Sequence, residues 1–403
     1  MIPFSPPKIY QEIIDEVVDT LKSGWITTGP KTKQLEKDLS AYCAVPKTLC
    51  VNSATFGMEM ILRWFDVKEG DEVILPAYTY CSTANVVVHC GAKPVMVDCL
   101  DDFSINLEEV KKKVNSRTKA IIPVDIGGYP CDYDAIKKFI KSKEVKDLFK
   151  PEGENQTKLG RPLLMTDAAH SLGALYNGLK SGTQADVSVF SFHAVKNLTT
   201  GEGGAIAMNF PEPFEHDSIY QSLNIKSLHG QSKDALAKTG KGAWKYDVVE
   251  AGYKGNMTDI LASLGLVELK RYDSETIPRR KEIFDQYTKA FENEAWAQLP
   301  TYKKENRESS YHLYLLRIKG ITEAQRDQII QEIFDQEVSV NVHYRPLPLL
   351  TQYKNMGYKM ENYPVAFNNY SREITLPVYY DLTNDQVETV CMAVKNAVKK
   401  IIE

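Results

Sequence analysis

The stretch Asp186-Val187-Ser188-Val189-Phe190-Ser191-Phe192-His193-Ala194-Val195-Lys196-Asn197-Leu198-Thr199-Thr200-Gly201-Glu202-Gly203-Gly204 opens as a strand and closes as a glycine-rich loop. Residues 186–192 have the apolar run of a short buried strand, and the glycines let backbone come close around the lysine between them. Lysines mostly sit in water, so Lys196 alone reads more often as a solvated loop residue than as a nucleophile. Its partners elsewhere in the chain decide between the two.

Working outward, further short apolar runs occur at Thr48–Val51, Glu72–Leu75, Pro94–Val97, Thr118–Val124 and Leu163–Thr166. Helical candidates such as Gly57–Phe65 and Asp134–Lys143 lie between them. This alternation predicts an α/β domain on a mostly parallel sheet. In such sheets ligands gather at the carboxyl ends of the strands.

The residues just after those strands are chemically pointed. Ser53-Ala54-Thr55 opens a helix, which makes either a plain N-cap or an anion site. Tyr80 puts an aromatic ring after the second strand, and Cys81 behind it reads as a small packing residue. Asp167 follows the Leu163–Thr166 strand, as a helix cap or as a functional acid. Taken one at a time, the bland readings win. As a set, an anion cradle, an acid, an aromatic face and an amine fit pyridoxal phosphate, which needs a partner for its phosphate, its ring nitrogen, its ring face and its aldehyde.

Composition frames that set. The chain has 403 residues, enough for two domains with their own cores, and a net charge of −4 with Lys and Arg spread throughout. Neither nucleic acid nor a membrane surface is expected as a partner. The start Met1-Ile2-Pro3-Phe4-Ser5-Pro6-Pro7 lacks signal-peptide features, which gives a cytoplasmic expectation. The seven cysteines include no Cys-x-x-Cys pair, so reduced thiols are expected and no metal site.

In order and spacing, several segments resemble the DegT/DnrJ/EryC1/StrS family of sugar aminotransferases. They are Ser23-Gly24-Trp25-Ile26-Thr27-Thr28-Gly29-Pro30, Ser53-Ala54-Thr55, Pro76-Ala77-Tyr78-Thr79-Tyr80, Asp167-Ala168-Ala169-His170, the Ser191–Gly204 run and Gly252-Tyr253-Lys254-Gly255-Asn256-Met257-Thr258-Asp259-Ile260. The resemblance covers nearly the whole chain and implies the fold type I, aspartate aminotransferase-like architecture. It implies a large cofactor domain over 1–258 and a smaller α+β domain over 259–403, which agrees with the stretches Ser309–Leu316 and Val338–Val342 reading as strands of a smaller C-terminal domain. Within the family the motifs look most like enzymes that aminate C4 of UDP-4-keto sugars.

Carried over by position, the resemblance gives Lys196 as the lysine that holds the cofactor aldehyde and later moves the proton. Asp167 is implied at the pyridine nitrogen, Ser53, Ala54, Thr55 and Ser191 at the phosphate, and Tyr80 against the ring. His170 stands where the family has Gln or His near the ring oxygen, and His193 lies two residues beyond Ser191; for a histidine here, tuning and packing remain open. Lys254 or Asn256 is implied as a phosphate contact from a second subunit, hence a homodimer with shared active sites. Trp25, His343 and Arg345 are implied on the substrate side, the last two in Val340-Asn341-Val342-His343-Tyr344-Arg345-Pro346.

The implied substrates are a nucleotide-linked keto sugar and an amino acid, with glutamate expected as donor. Amination at sugar C3 or of a cyclitol, with glutamine as a possible donor, remains open. The family's dehydratase branch has a histidine in place of the lysine, and Lys196 argues against it. Lysine, acid and cradle together argue against a non-catalytic cofactor-binding module. The polar stretch Lys150–Arg161 is longer than in the family and reads as a surface loop.

Overall fold

A computed structural model describes residues 1–233 and 245–402. The strands in chain order are β1 Lys47–Val51, β2 Glu72–Pro76, β3 Lys93–Val97, β4 Thr118–Ile121, β5 Leu163–Asp167, β6 Leu175–Tyr176, β7 Leu179–Lys180, β8 Val187–Ser191 and β9 Gly204–Met208. Then come β10 Ala297–Gln298, β11 Lys303–Lys304, β12 Arg307–Glu308, β13 Tyr314–Ile318 and β14 Glu373–Leu376.

Seven strands form the main sheet in the order β1-β9-β8-β5-β4-β2-β3. Only β9 is reversed, pairing antiparallel with both β1 and β8. Every residue of β2, β5 and β9 is buried, as in a sheet covered on both faces by helices. The carboxyl ends of β1, β2, β5 and β8 therefore lie along one edge, and β9 starts there too, with Gly204 opposite both Val51 and Ser191.

β9 was hidden in the glycine run. A Cβ on Gly204 would lie 2.5 Å from the Ala54 nitrogen, so only glycine lets this strand begin beneath the helix Ala54–Trp64. The expected helix over 134–143 is two helices, Tyr133–Ile140 and Lys143–Leu148. Ser142 starts the second by accepting from the Val145 N–H.

The stretch expected as a surface loop at 150–161 contains the helix Glu154–Leu159. Gln156 is fully buried, and its amide donates to Phe65 O at 2.8 Å, tying this helix to the end of Ala54–Trp64. The exposed residues around it had masked one buried anchor.

A second core centres on β13, flanked by β10 and β14. The helices Ile277–Phe291, Glu323–Asp335 and Asn384–Ile402 bury Phe284, Ile329 and Val390 in it. Of the expected Ser309–Leu316 strand, only the part from Tyr314 joins this sheet. Ser310, His312 and Leu313 instead donate their N–H groups to Gly128 O and Gly127 O in the first core.

Val338–Val342 makes single bridges rather than a strand: Val338 pairs with Ile2 and Asn341 with Thr375. Its two ends have different partners, so no ladder forms. The helix Asp259–Arg271 packs with Leu35, Leu39 and Phe192, and the Asp259 carboxylate accepts from the Gly29 and Thr32 N–H groups at 2.8 and 2.9 Å. A π-helical turn, Tyr272–Thr276, joins it to Ile277–Phe291 of the second core. All seven cysteines are free. Among the described residues, no helix is long and apolar enough to cross a membrane.

Candidate active site

A cavity of about 460 Å³ opens at the carboxyl edge of the main sheet. Its lining includes Ser53, Ala54, Thr55, Tyr80, Asp167, His170, Ser191, His193, Lys196 and His343, which brings ten of the expected site residues together.

Ser53 caps the helix Ala54–Trp64 by accepting from the Phe56 N–H, so the first-turn N–H groups of Ala54 and Thr55 face the cavity end. The Thr55 hydroxyl lies 2.7 Å from that of Ser82, the first residue of the helix Ser82–His89. Two helix N-termini, two hydroxyls and a glycine floor make a cradle for a dianionic group.

Asp167 ends β5 and is buried. Its Oδ2 accepts from Thr83 Oγ1 at 2.8 Å and its Oδ1 from the Ala169 N–H at 3.2 Å, while Thr79 Oγ1 lies 2.9 Å from that of Thr83. Burial pushes the carboxyl up from its ordinary value, and the two hydrogen bonds with the Lys196 charge pull it back. Such an acid is built to share a proton with a cation placed against it.

Lys196 sits on a turn closed by its own N–H to His193 O at 2.9 Å. Asn197 fixes that turn to the segment leading into β13: its amide donates to Ser310 O at 2.7 Å and its Oδ1 accepts from His312 Nδ1 at 2.8 Å. Burial pushes the Lys196 amine down to about 8, opposed by the charge of Asp167. At pH 7.5 about a quarter of such an amine is neutral, against about a thousandth of an ordinary lysine.

The hydrogen bonds fix the state of His170. Nδ1 accepts from the Gly127 N–H at 3.2 Å, so the ring proton is on Nε2 and donates to Tyr344 Oη at 2.9 Å. The Tyr344 O–H is then left to donate to a ligand. Burial, with the positive Lys196 nearby, holds His170 well below the usual histidine range and keeps it neutral. Tyr80 is half-exposed, with its ring centre 5.6 Å from that of Tyr344. His193 stands at the rim, exposed, 3.8 Å from Glu202.

Four expected residues do not line this cavity. Trp25 donates its indole N–H to Thr28 O at 3.1 Å. Lys254 is exposed and bridges Leu228, and the Asn256 amide is directed to Thr28 Oγ1 at 2.5 Å. Arg345 points into solvent as an exposed residue next to the lining pair His343 and Tyr344. The segment 254–256 nonetheless runs beside the cradle, since the Asn52 N–H donates to Gly255 O at 2.8 Å.

Ser82, Thr83 and Tyr344 were not expected. The first two also open a helix just beyond a main-sheet strand, and the rule that selected Ser53 and Asp167 selects them as well. Tyr344 follows an irregular segment and carries no comparable signal.

Cradle, buried acid, amine and aromatic ring thus line one cavity, and this donor set fits a pyridoxal phosphate. With the seven-stranded sheet, they define a fold type I aminotransferase architecture. The chain belongs to the DegT/DnrJ/EryC1/StrS aminotransferase family, whose model matches residues 7–150 and 154–395. It is 46% identical to the putative sugar aminotransferase Spr1654 from Streptococcus pneumoniae, solved in a PMP form, with a TM-score of 0.96 and 100% of both chains covered. It is 36% identical over 407 residues to the spore coat polysaccharide biosynthesis protein SpsC of Bacillus subtilis, covering 99% of this chain and 97% of that protein. An uncharacterized protein of Methanocaldococcus jannaschii, MJ1066, is 40% identical over 400 residues, covering 98% of this chain and 96% of that protein.

Proposed function

We propose that the protein transfers an amino group from glutamate to C4 of a UDP-linked 4-keto sugar, for a cell-surface polysaccharide or lipopolysaccharide, acting as a cytoplasmic homodimer. The observation that carries this reading is the convergence of Lys196, Asp167 and the Ser53–Thr55 cradle on one cavity. The description of SpsC supports the polysaccharide setting.

When bound, pyridoxal phosphate supplies an aldehyde for the amine and a conjugated ring that draws off the electron pair of a breaking carbon–hydrogen bond. The residues do the rest. Ala54 and Thr55 N–H groups and the Thr55, Ser82 and Ser191 hydroxyls hold the phosphate. Asp167, oriented by Thr83 and Ala169, keeps the proton on the ring nitrogen. Tyr80 would lie against the ring, and His170 and Tyr344 are the polar groups that share its cavity. Lys196 Nζ would hold the aldehyde and, once free, would move a proton at the sugar carbon.

Trp25, Lys254 and Arg345 lie outside the cavity of their own chain, which suits roles completed at a subunit interface. Between Lys254 and Asn256, we assign the phosphate contact to the exposed Lys254, because the Asn256 amide already serves Thr28 and Met257 O. An apolar stripe of exposed Ile14, Val18 and Leu21 on the helix Gln11–Ser23 offers a second copy a face to cover.

Because only the neutral amine attacks an aldehyde, the rate at which Lys196 captures pyridoxal phosphate should rise about tenfold per pH unit below 8 and level off above it. Stopped-flow absorbance would show this; a rate flat through that range contradicts it. The substrate is tested with a panel of UDP- and dTDP-keto sugars and glutamate, reading product masses. UDP-4-keto sugars should gain the amine, and amination of none would sink the substrate class.

A further inference from the structure

His343 is held at four points. Its N–H donates to Glu373 Oε2 at 3.0 Å, its carbonyl accepts from Tyr78 Oη at 2.6 Å, and its ring lies 5.5 Å from Phe4, nearly parallel. Its Nδ1 is 3.0 Å from Thr375 Oγ1. Nε2 is left as the one ring nitrogen available to a ligand in the cavity that His343 lines. Behind it, Thr375 Oγ1 lies 2.5 Å from Glu373 Oε1, and both residues are fully buried. Neighbouring bonds between Asn341 and Thr375, at 3.1 and 2.8 Å, fix the register.

We propose that Glu373 and Thr375 are positioning residues that set, through a two-bond proton relay, whether His343 shows the substrate a lone pair or an N–H at Nε2. The proposal rests on reading this cavity as the sugar-binding active site. Thr375 has one hydroxyl proton and stands between two groups, so the two bonds must run in the same direction. With Glu373 ionised, Thr375 donates to Oε1, Nδ1–H donates to Thr375, and Nε2 is bare. One proton entering at Nε2 sends the Nδ1 proton to Thr375 and the Thr375 proton to Glu373. The imidazole stays neutral throughout, and the carboxylate is the charge discharged.

The surroundings suit both states. Burial pushes the Glu373 carboxyl up to about 8, against the pull of its two donors and of Arg326 and Arg317. Arg326 donates to Glu373 O at 3.1 Å and to Tyr370 O at 2.6 Å, and Arg317 to Asp101 at 2.9 Å, so neither is spent on the carboxylate. Tyr78 and Tyr344 also face Glu373, and Lys196 faces His343. Burial and the Lys196 charge push His343 itself down to about 3, so its ring does not become cationic in place of the relay.

The test is nitrogen-15 NMR of histidine-labelled protein, with the His343 signals assigned by their loss in His343→Gln. In the wild type, the protonated nitrogen should change from ε2 to δ1 as the pH is raised through about 8. In Glu373→Gln it should stay ε2, because the His343 N–H takes the amide oxygen and the NH2 is then left to donate to Thr375. In Thr375→Val the pH response should vanish. A wild-type tautomer that does not change with pH, or a Glu373→Gln variant titrating like the wild type, overturns the proposal. If Glu373→Gln fails to fold, the wild-type titration and Thr375→Val decide. The tautomer is read without turnover, so an intact switch in a protein that aminates no keto sugar would fault the function and not the relay.

Discussion

Lys196→Ala is expected to lower amino transfer by about 10⁴-fold or more, because in the proposed function it removes both the group that holds the cofactor aldehyde and the proton carrier. The fold should survive. Lys196 is half-buried at a cavity wall, and its loop is pinned by Asn197 to Ser310 O and His312 rather than by the lysine. The sign of the stability change follows from linkage. An amine whose folded pKa is depressed to about 8 costs stability where it is protonated in both states, and that cost fades as pH rises from about 8 toward the unfolded value. Near pH 7 the alanine variant should therefore melt at or slightly above the wild-type temperature, while turnover disappears. A variant that loses activity only because it unfolds would contradict this.

Asp186→Ala is expected to cost about 3–5 kcal/mol of stability, the range for stranding one member of a buried ion pair. Asp186 and Arg161 are both buried and form two parallel bonds of 2.6 and 2.7 Å, and Asp186 Oδ2 also accepts from the Leu164 N–H at 2.9 Å. Removing the carboxylate leaves a guanidinium and an amide without their acceptor in a dry interior. The pair joins the entrances of β5 and β8, whose far ends present Asp167 and Ser191. Loss of the clip should therefore loosen the cavity as well as lower the denaturation midpoint. Urea unfolding measures the loss of stability, and a change under about 1 kcal/mol would contradict the assigned role.

The sheet was legible because its strands are short, apolar and bounded by turn residues. Asp167 and Ser53 were legible because carboxyl ends of parallel strands collect ligands. Gly204–Met208 was lost because glycine reads as loop, whereas here its missing side chain lets β9 start beneath Ala54. Val338–Val342 reads as a strand, but its apolar residues record burial of Val338 and Val340 and do not say whether a neighbour offers a continuous ladder. Thr83 and Ser82 obey the rule that found Ser53 and Asp167. Tyr344 and Glu373 do not: they meet the cavity through contacts between residues far apart in the chain. Local pattern carries no record of such contacts.

Whether Lys196 makes this cavity an amino-transfer site is read from the absorbance of the pyridoxal phosphate-loaded protein during titration with glutamate and then a UDP-4-keto sugar. Glutamate should bleach the near-ultraviolet to violet band, the keto sugar should restore it, and Lys196→Ala should show neither change. Full turnover by Lys196→Ala, or a wild-type band that glutamate leaves untouched, would contradict that role of Lys196.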